Sequence, residues 1–552
     1  MSSSVVLEPN LKRGNLWLHS WLGLLLGWLC YLIFFTGTLS FYRDELVLWQ
    51  APELHVSGNR QQLDTVFNYL EIYASNAKTW TVNLPDGRNS SVVAFWNTPG
   101  VKRGDTNYRN RVHFNPTTGA VLEPRESRLF DFIYRLHFEL YGVPREFGRW
   151  VVGIAALGML VAIISGVIIH KRIFKDLFKF QPQKKIRSWL DFHNISAVLA
   201  LPFHIAITYS GLMLLMFMLM PWGVETALDG DEQALRDFRG GKLGFSEYSQ
   251  PQENHIRLNL ERSLGDALYS LLNDERSREI WRAGIDRVQV INPSSNDPKV
   301  VLWGQGAQTL LNRARPTRWY FDLKSGVLTK VETTKVDDNI NVQIYNVMTA
   351  VHLQRYAQPF QRGLFFFSGL LGTLMVGTGL HIWLKKRPIK NSTTKAIRFG
   401  LLIAKGLNIA FLVGLPGATA MAMWLNRLVP ADVEARALIE IQGFFIFWLM
   451  TFLYGLFREY GKALAESLLL IGVMLLSLII YNLNFVYSDI AAVGTWLNAP
   501  TIVQMIDLSI LLIAISLLFF GYRAFNCIYP NAERRRENQH GNTGGVKSDA
   551  NG

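Results

Sequence analysis

HNISAVLALPFHIAITYSG, residues 193–211, is an almost unbroken apolar stretch that contains two histidines. On a helix, His193 and His204 lie roughly 16 Å apart along the axis and about 20° apart around it, so both project from nearly the same face. An imidazole in lipid is costly unless it has a partner, and an ionisable residue within a membrane helix is therefore a candidate functional residue. The stretch predicts a membrane helix with a chemical role.

The beginning of the chain carries a counterpart of this stretch. His19 is followed eighteen residues later by Gly37, which is also the distance from His193 to the glycine that ends the quoted stretch. An arginine stands six residues before each of these two histidines, at positions 13 and 187. The matched spacing predicts an internal repeat in the first four spans, related by an axis along the membrane normal.

Eight apolar runs are long enough to cross a bilayer. They lie at about residues 16–43, 150–170, 189–220, 362–384, 399–426, 438–457, 464–487 and 501–522. Basic residues cluster before the first run and after the second, fourth and eighth runs, which is one side of the membrane if the runs alternate. This pattern predicts a multi-pass membrane protein with both termini in the cytoplasm.

The formal net charge of +13 does not indicate nucleic acid as a partner. Because the basic residues lie beside the apolar runs, the surplus is mainly a topology signal, and membrane lipid head groups are the expected partner.

Two polar segments, at about residues 46–135 and 224–345, are predicted to lie on the outer side of the membrane. Each contains a hairpin with a similar turn, Asn115-x-x-Thr-Gly and Asp322-x-x-Ser-Gly, in which the first side chain binds backbone N–H groups and glycine takes a positive φ. The predicted fold is therefore a mainly α, polytopic membrane protein of about eight transmembrane helices, with two small α+β outer domains.

The predicted domains follow the runs. They are residues 1–45 (cytoplasmic leader and first span), 46–149 (first outer domain and lead-in helix), 150–223 (second and third spans with a basic cytoplasmic loop), 224–361 (second outer domain and lead-in helix), 362–390 (fourth span), 391–526 (four C-terminal spans) and 527–552 (a disordered cytoplasmic tail).

Seven of the eleven histidines lie in or beside the first four spans. The expected depth sorts them into four toward the cytoplasm, one near the middle and two at the outer surface: His19, His170, His193 and His381; His204; His137 and His352. Cys30 and Cys527 cannot pair and no zinc pattern is present, so metal chemistry must rest on histidine. Paired histidines from different helices are typical axial ligands of haem iron used for electron transfer, so these residues predict two haem b groups.

The pairing of the ligands has several solutions. Symmetry favours His19 with His193 and His137 with His352, whereas depth alone also allows His193 with His170 or His381. His204 has no symmetric mate, because Cys30 occupies its place in the first copy, and it could ligate the outer haem instead of an outer histidine. Basic residues near the two membrane surfaces could pair with haem propionates: Arg13, Arg187, Lys171, Arg145, Arg149, Arg355 and Arg362.

These features together resemble the PepSY-associated transmembrane family of bacterial inner-membrane proteins, often called iron-regulated membrane proteins. The resemblance covers about residues 10–390. It rests on His19-x-Trp21-x-Gly23, the two hairpin turns, Leu136-His137, His193 with Ser210-Gly211, and His352.

The resemblance implies PepSY-like periplasmic domains, an inner-membrane location and a haem-dependent ferric-siderophore reductase for iron uptake. Some relatives carry a fused flavin and nicotinamide domain, which this sequence lacks because its cytoplasmic segments are short and hold no GxGxxG after a strand. The electron donor is then a cytoplasmic reductase or membrane quinol. The four C-terminal spans depart from the minimal four-span pattern of the family.

The histidines, together with this resemblance, imply a haem b protein that reduces a ferric siderophore or another ferric chelate. Two other classes of protein fit the same residues. One is a transporter of a metal chelate or haem, in which the histidines bind cargo. The other is a PepSY-type regulatory or interaction protein without redox activity.

Overall fold

The fold was analysed in a computed structural model. It describes residues 9–56, 62–86, 88–101, 109–170, 185–227, 230–231, 233, 246–249, 258, 263–273, 280, 284–304, 310–312, 316–334, 340–354, 356–387, 394–489 and 494–529. The predicted basic loop after the second span lies mostly outside these residues, and so does nearly all of the predicted disordered tail.

The chain divides into two compact units. The first unit comprises Met1–Ile382 with Tyr487–Gln504, and the second comprises Trp383–Val486 with Met505–Gly552. The helices that begin in the first unit are α1 Pro9–Leu25, α2 Gly27–Ser40, α3 Arg43–Gln50, α4 Leu63–Tyr73, α5 Leu129–Leu136, α6 Arg145–Ile169, α7 Lys185–Leu199, α8 Leu201–Leu219, α9 Pro221–Ala227, α10 Leu264–Asn273, α11 Ile340–Leu353 and α12 Pro359–Lys385.

The second unit is built from long apolar helices. They are α13 Lys395–Ile409, α14 Leu415–Leu428, α15 Arg436–Phe457 and α16 Tyr460–Tyr481, followed by the short α17 Tyr487–Asp489 of the first unit and by α18 Thr501–Ile528. A π-helical turn, Ala410–Gly414, joins α13 to α14, and a second one, Asn482–Val486, follows α16.

The structure contains seven or eight candidate membrane spans, against about eight predicted. Within the described ranges, seven helices are long and apolar enough to cross a membrane, and the pair α1 and α2 brings the number to eight if it forms one span. That pair bends by 63° at Leu26. The third predicted span is also interrupted, because Pro202 in the first turn of α8 cannot donate the backbone hydrogen bond that would continue α7.

The strands of the two polar segments form one continuous sheet rather than two separate ones. The strands are β1 Thr79–Asn83, β2 Val92–Asn97, β3 Arg109–Phe114, β4 Val121–Leu122, β5 Ser246–Ser249, β6 Ile285–Ile291, β7 Lys299–Gly304, β8 Arg318–Asp322 and β9 Leu328–Thr334. Their order is β4-β3-β2-β1-β6-β7-β8-β9-β5, with nine strands among the described residues. The segments join where β1 pairs antiparallel with β6, Val82 opposite Val288.

One apolar core supports this sheet. Val82 and Val288 are fully buried in it, together with Leu70 of α4 and Leu268 of α10. The two predicted turns are confirmed: Asn115 and Asp322 each accept two backbone N–H bonds, and the glycines that follow have φ of +70°. The sheet therefore has a shared core, and the helices after β4 and β9 run from it into the apolar helices.

Candidate functional site

The structure brings together His19 and His193. They are here called the far pair, in contrast to a second pair whose helices directly follow strands of the sheet. His19 lies on α1 and His193 on α7, and their ring centroids are 6.4 Å apart. Nδ1 of His19 lies 3.0 Å from the Ala162 carbonyl of α6. Nδ1 of His193 lies 2.8 Å from the Met375 carbonyl of α12. Each ring is thus anchored to a membrane helix other than its own.

His137 and His352 form a second pair, here called the sheet-side pair because their helices directly follow β4 and β9. Their ring centroids are 6.0 Å apart, with 27° between the ring planes. Nδ1 of His137 lies 2.9 Å from the Ile33 carbonyl of α2. Nδ1 of His352 lies 3.0 Å from Ser210 Oγ and 3.2 Å from the Ile207 carbonyl, both on α8.

These contacts fix the protonation of all four rings. A carbonyl oxygen can only accept, so each Nδ1 must carry the proton and donate it, which leaves Nε2 with a free electron pair. No residue in the described ranges makes a hydrogen bond to any of the four Nε2 atoms. Metal-binding histidines have this arrangement, with one nitrogen held by a carbonyl and the other directed to the metal.

Burial keeps the sheet-side pair uncharged. Desolvation, followed by the neighbouring His137, lowers the pKa of His352 to about 3, and desolvation also lowers the pKa of His137. Both rings are therefore neutral near pH 7, which is the state that ligates a metal.

The four histidines meet the same local motif on their receiving helices, here called the Ser/Thr-Gly motif. It consists of the residue whose carbonyl accepts, a Ser or Thr three residues later, and a glycine at the next position. The four copies are Ile33/Thr36/Gly37, Ala162/Ser165/Gly166, Ile207/Ser210/Gly211 and Met375/Thr378/Gly379.

The glycine of each motif makes room for the ring. A Cβ added at Gly37 would lie 2.6 Å from Cε1 of His137, and one at Gly211 would lie 3.0 Å from Cε1 of His352. At Gly379 and Gly166 the corresponding distances to His193 and His19 are 3.2 and 3.3 Å. All four Cβ-to-ring distances are shorter than an ordinary van der Waals contact, so a side chain at any of these positions would displace the ring. The glycines therefore allow the imidazoles to lie against the helix backbone.

A cavity of about 500 Å³ opens beside the sheet-side pair. Both histidines line it, and its apolar wall includes Phe34, Met159 and Leu214 from α2, α6 and α8. A volume of this size and a mostly apolar wall are typical of cofactor sites.

Four arginines line the same cavity, and each has an acidic partner. Arg88 and Arg362 both bind Glu45, which is fully buried. Arg43 donates to Asp131 at 2.5 Å, and Arg149 donates to Glu139 at 2.7 Å. The arginine hydrogen bonds outweigh partial burial and lower the pKa of Glu139, so this carboxylate stays ionised.

The other predicted site residues lie outside both pairs. His204 is fully buried, with its ring edge-on to Phe34 at 5.8 Å. The carbonyls of Ala197 and Ser368 face it, but neither ring nitrogen reaches hydrogen-bond geometry with a described residue.

His381 packs on Trp189, with ring centroids 4.6 Å apart, and His170 caps the end of α6. Of the basic residues predicted to bind propionates, Arg149 and Arg362 line the cavity, and Arg145 binds Glu139. Lys171 and Arg355 lie outside the described residues.

The two pairs fit haem as a ligand. Two imidazoles that share one iron through metal–nitrogen bonds of about 2 Å place their ring centroids roughly 6 Å apart. The far pair and the sheet-side pair have centroid separations of 6.4 and 6.0 Å. Within the described ranges, no cluster of three or more His, Cys, Asp or Glu could hold a metal ion instead.

Sequence reasoning missed the Ser/Thr-Gly motif. Gly166 and Gly379 each lie against a histidine of another helix. The signal was present, because each of the four receiving helices contains a Ser-Gly or Thr-Gly pair; α12 contains two, Ser368-Gly369 and Thr378-Gly379. Its link to a histidine on another helix is a tertiary contact that no spacing reveals.

The comparison with protein families gives the family of the chain. The model of the PepSY-associated TM region matches residues 16–386, which include all four paired histidines and all four motifs. No curated protein matches the chain.

Proposed function

Because the chain belongs to the family of PepSY-associated transmembrane regions, we propose that it is a haem b protein of the bacterial inner membrane. It passes electrons across the membrane and reduces ferric siderophores, or other ferric chelates, in the periplasm. In this proposal the termini are cytoplasmic, and the sheet is the periplasmic part with PepSY-like character.

One observation carries the proposal. Two pairs of neutral histidines present Nε2 atoms whose opposite nitrogens are already bonded to backbone carbonyls. Each of these Nε2 atoms keeps an electron pair that a metal ion could accept. With two histidines to hold each iron, a bound haem would supply electron transfer rather than oxygen binding.

The chain's own residues would hold two haems. His19 and His193 would ligate one, and His137 and His352 the other. Arg88, Arg149 and Arg362, which line the cavity, would bind propionates there. Haem iron supplies one-electron transfer when bound, and the histidines set its potential.

The reaction at the periplasmic face is a one-electron reduction. One electron converts one ferric ion to ferrous iron, which hard oxygen chelators bind less tightly, so the iron is released. The electron comes from a cytoplasmic reductase or from membrane quinol.

The sheet offers a surface suited to such a chelate. On the strands β6 to β9, the guanidinium groups of Arg318 and Arg287 lie 3.9 and 5.1 Å from the Trp303 ring, and the Lys330 ammonium lies 5.2 Å from the Tyr320 ring. Arg318 also pairs with Glu332 at 3.3 Å. Positively charged side chains attract anionic groups, so the proposal takes an anionic ferric chelate as the substrate.

The test uses full-length protein expressed with ample haem precursor and purified in detergent. We expect about two haem b per chain, a bis-imidazole spectrum after reduction, and anaerobic reoxidation when a ferric siderophore is added. Protein without haem would contradict the whole proposal. Haem that is not reoxidised would contradict only the substrate, and uptake of the chelate into liposomes without reductant would favour a transporter.

A further inference from the structure

The four Ser/Thr-Gly motifs are not equivalent, and the difference lies in their hydroxyl groups. Ser165 Oγ lies 3.1 Å from Nδ1 of His19, and Thr378 Oγ1 lies 3.3 Å from Nδ1 of His193. In the sheet-side pair, Ser210 Oγ lies 3.0 Å from Nδ1 of His352.

The fourth hydroxyl is turned away. Thr36 Oγ1 donates to the Leu32 carbonyl at 2.7 Å and also lies 3.3 Å from the Ile33 carbonyl. Among the described residues, His137 has the Ile33 carbonyl as the hydrogen-bond acceptor of its Nδ1. The far pair therefore has two hydroxyl groups at its Nδ1 atoms, and the sheet-side pair has one.

The three engaged hydroxyls can only accept from histidine. Ser165 donates its own proton to the Ala162 carbonyl, and Ser210 donates to the Ile207 carbonyl. Thr378 donates to the carbonyls of Leu374 and Met375. Because its proton is committed to the backbone, each hydroxyl adds an acceptor for the Nδ1–H group of its histidine.

An additional acceptor on Nδ1–H makes the opposite nitrogen more basic. A more basic axial ligand stabilises ferric iron relative to ferrous iron and so lowers the reduction potential. We infer that Ser165, Thr378 and Ser210 are positioning residues that tune the two haem sites, and that the hydroxyl groups give the far site the lower potential. The difference favours electron flow from the far pair toward the sheet. This inference rests on the proposed function.

The experiment is a redox titration of haem absorbance in full-length protein. The two midpoint potentials are assigned with His137→Ala, which keeps the far pair, and His19→Ala, which keeps the sheet-side pair. We expect the far site to titrate at the lower potential.

The hydroxyl groups are then removed without a change in shape. In Ser165→Ala combined with Thr378→Val, we expect the midpoint potential of the far site to rise by up to about 59 mV. For a one-electron couple this shift corresponds to a tenfold change in the equilibrium constant. Ser210→Ala should raise only the sheet-side potential. Thr36→Val is the matched control, and it should move neither potential, because Thr36 does not reach its histidine.

Haem content per chain separates the possible failures. Full haem content with unchanged potentials in the Ser165→Ala, Thr378→Val protein would overturn the inference and leave the proposed function standing. An equal shift in Thr36→Val would also overturn it. A wild-type chain that binds no haem would overturn the proposed function and this inference together.

Discussion

In the first unit, four histidines each use one ring nitrogen for hydrogen bonding and leave the other unbonded, whereas in the second unit buried charged side chains bond to one another. Arg436 and Glu440, both fully buried on α15, form an ion pair with a distance of 2.5 Å. Asn426 donates to Glu440 at 2.9 Å, and Arg436 also donates to the Asn426 carbonyl.

The network of the second unit extends further through amide side chains. Arg427 donates to Asn482 at 2.9 Å, and Asn482 donates to Asp507 at 3.4 Å. Arg436 thus pairs directly with Glu440, and Arg427 is linked to Asp507 through Asn482. Buried ions are tolerated within membrane helices when they pair with one another.

This difference separates two uses of polar residues in apolar helices. A network whose hydrogen bonds are made within the protein needs no ligand, so the second unit's charges hold its helices together. In each histidine pair of the first unit, two rings lie 6.4 or 6.0 Å apart with their Nδ1 atoms bound to backbone carbonyls, which is the arrangement of a metal-ligand set.

The largest expected effect is on haem content. His193→Ala and His352→Ala should each remove about one haem from a chain that holds two, because an iron with one remaining imidazole loses its second axial ligand. The double variant should lose both haems. The measurement is haem per protein by absorbance after alkaline pyridine treatment.

The matched control for this loss is another buried histidine of the first unit. His113→Gln in the sheet should retain full haem content near pH 7.5, because His113 already has Ser91 Oγ as a partner at 3.0 Å. Equal haem in the wild type and in His193→Ala would show that the far pair is not a ligand set.

In the second unit, the expected effect is on stability alone. Glu440→Ala leaves Arg436 buried without its carboxylate, which should destabilise the unit by about 3–5 kcal/mol. Glu466→Ala removes the partly exposed partner of Arg458 and should destabilise the unit far less. Denaturant unfolding in detergent gives both values.

Haem content completes this comparison. Folded Glu440→Ala protein should bind as much haem as the wild type, since the four paired histidines all lie in the first unit. Selective loss of haem from folded Glu440→Ala protein would show that the charged network serves the cofactor.

A smaller effect is expected at the glycines of the motifs. Gly37→Ala forces His137 to move, since the added Cβ would lie 2.6 Å from its Cε1, and such overpacking costs about 1–3 kcal/mol. Gly166→Ala places its Cβ 3.3 Å from His19, where a small shift suffices, so it should cost less. The rate of haem transfer to a haem-scavenging apoprotein measures the difference, and faster loss from Gly166→Ala would contradict the assignment.

The sequence predicted those features that depend on local pattern. Apolar runs set the spans, and the equal spacing from His19 to Gly37 and from His193 to Gly211 suggested which histidines correspond. The two hairpin turns followed from the chemistry of Asn115 and Asp322.

Features that depend on distant contacts were not predicted. β1 pairs with β6, although the two strands lie about two hundred residues apart in the chain. The sequence of an edge strand does not indicate which strand it will pair with. The bend at Leu26 falls inside a continuous apolar run that reads as one helix. Arg427 and Arg436 lie near helix ends, where basic residues are common, so nothing in the sequence marked them as members of a buried network.

The smallest expected effect concerns pH and the histidine of the sheet. Desolvation, with a smaller contribution from Arg111, lowers the pKa of His113 to about 3. In the unfolded chain this ring takes up a proton below about pH 6.5, whereas in the folded sheet it stays neutral, so stability falls as the pH falls between these values. The loss from pH 6.5 to 5.5 should be about 1 kcal/mol.

His113→Gln cannot titrate, and it should remove this part of the pH dependence when resistance of the sheet to denaturant is followed by tryptophan fluorescence. An identical pH profile in the two proteins would show that the pKa of His113 is the same in the folded and the unfolded chain, and would contradict this prediction.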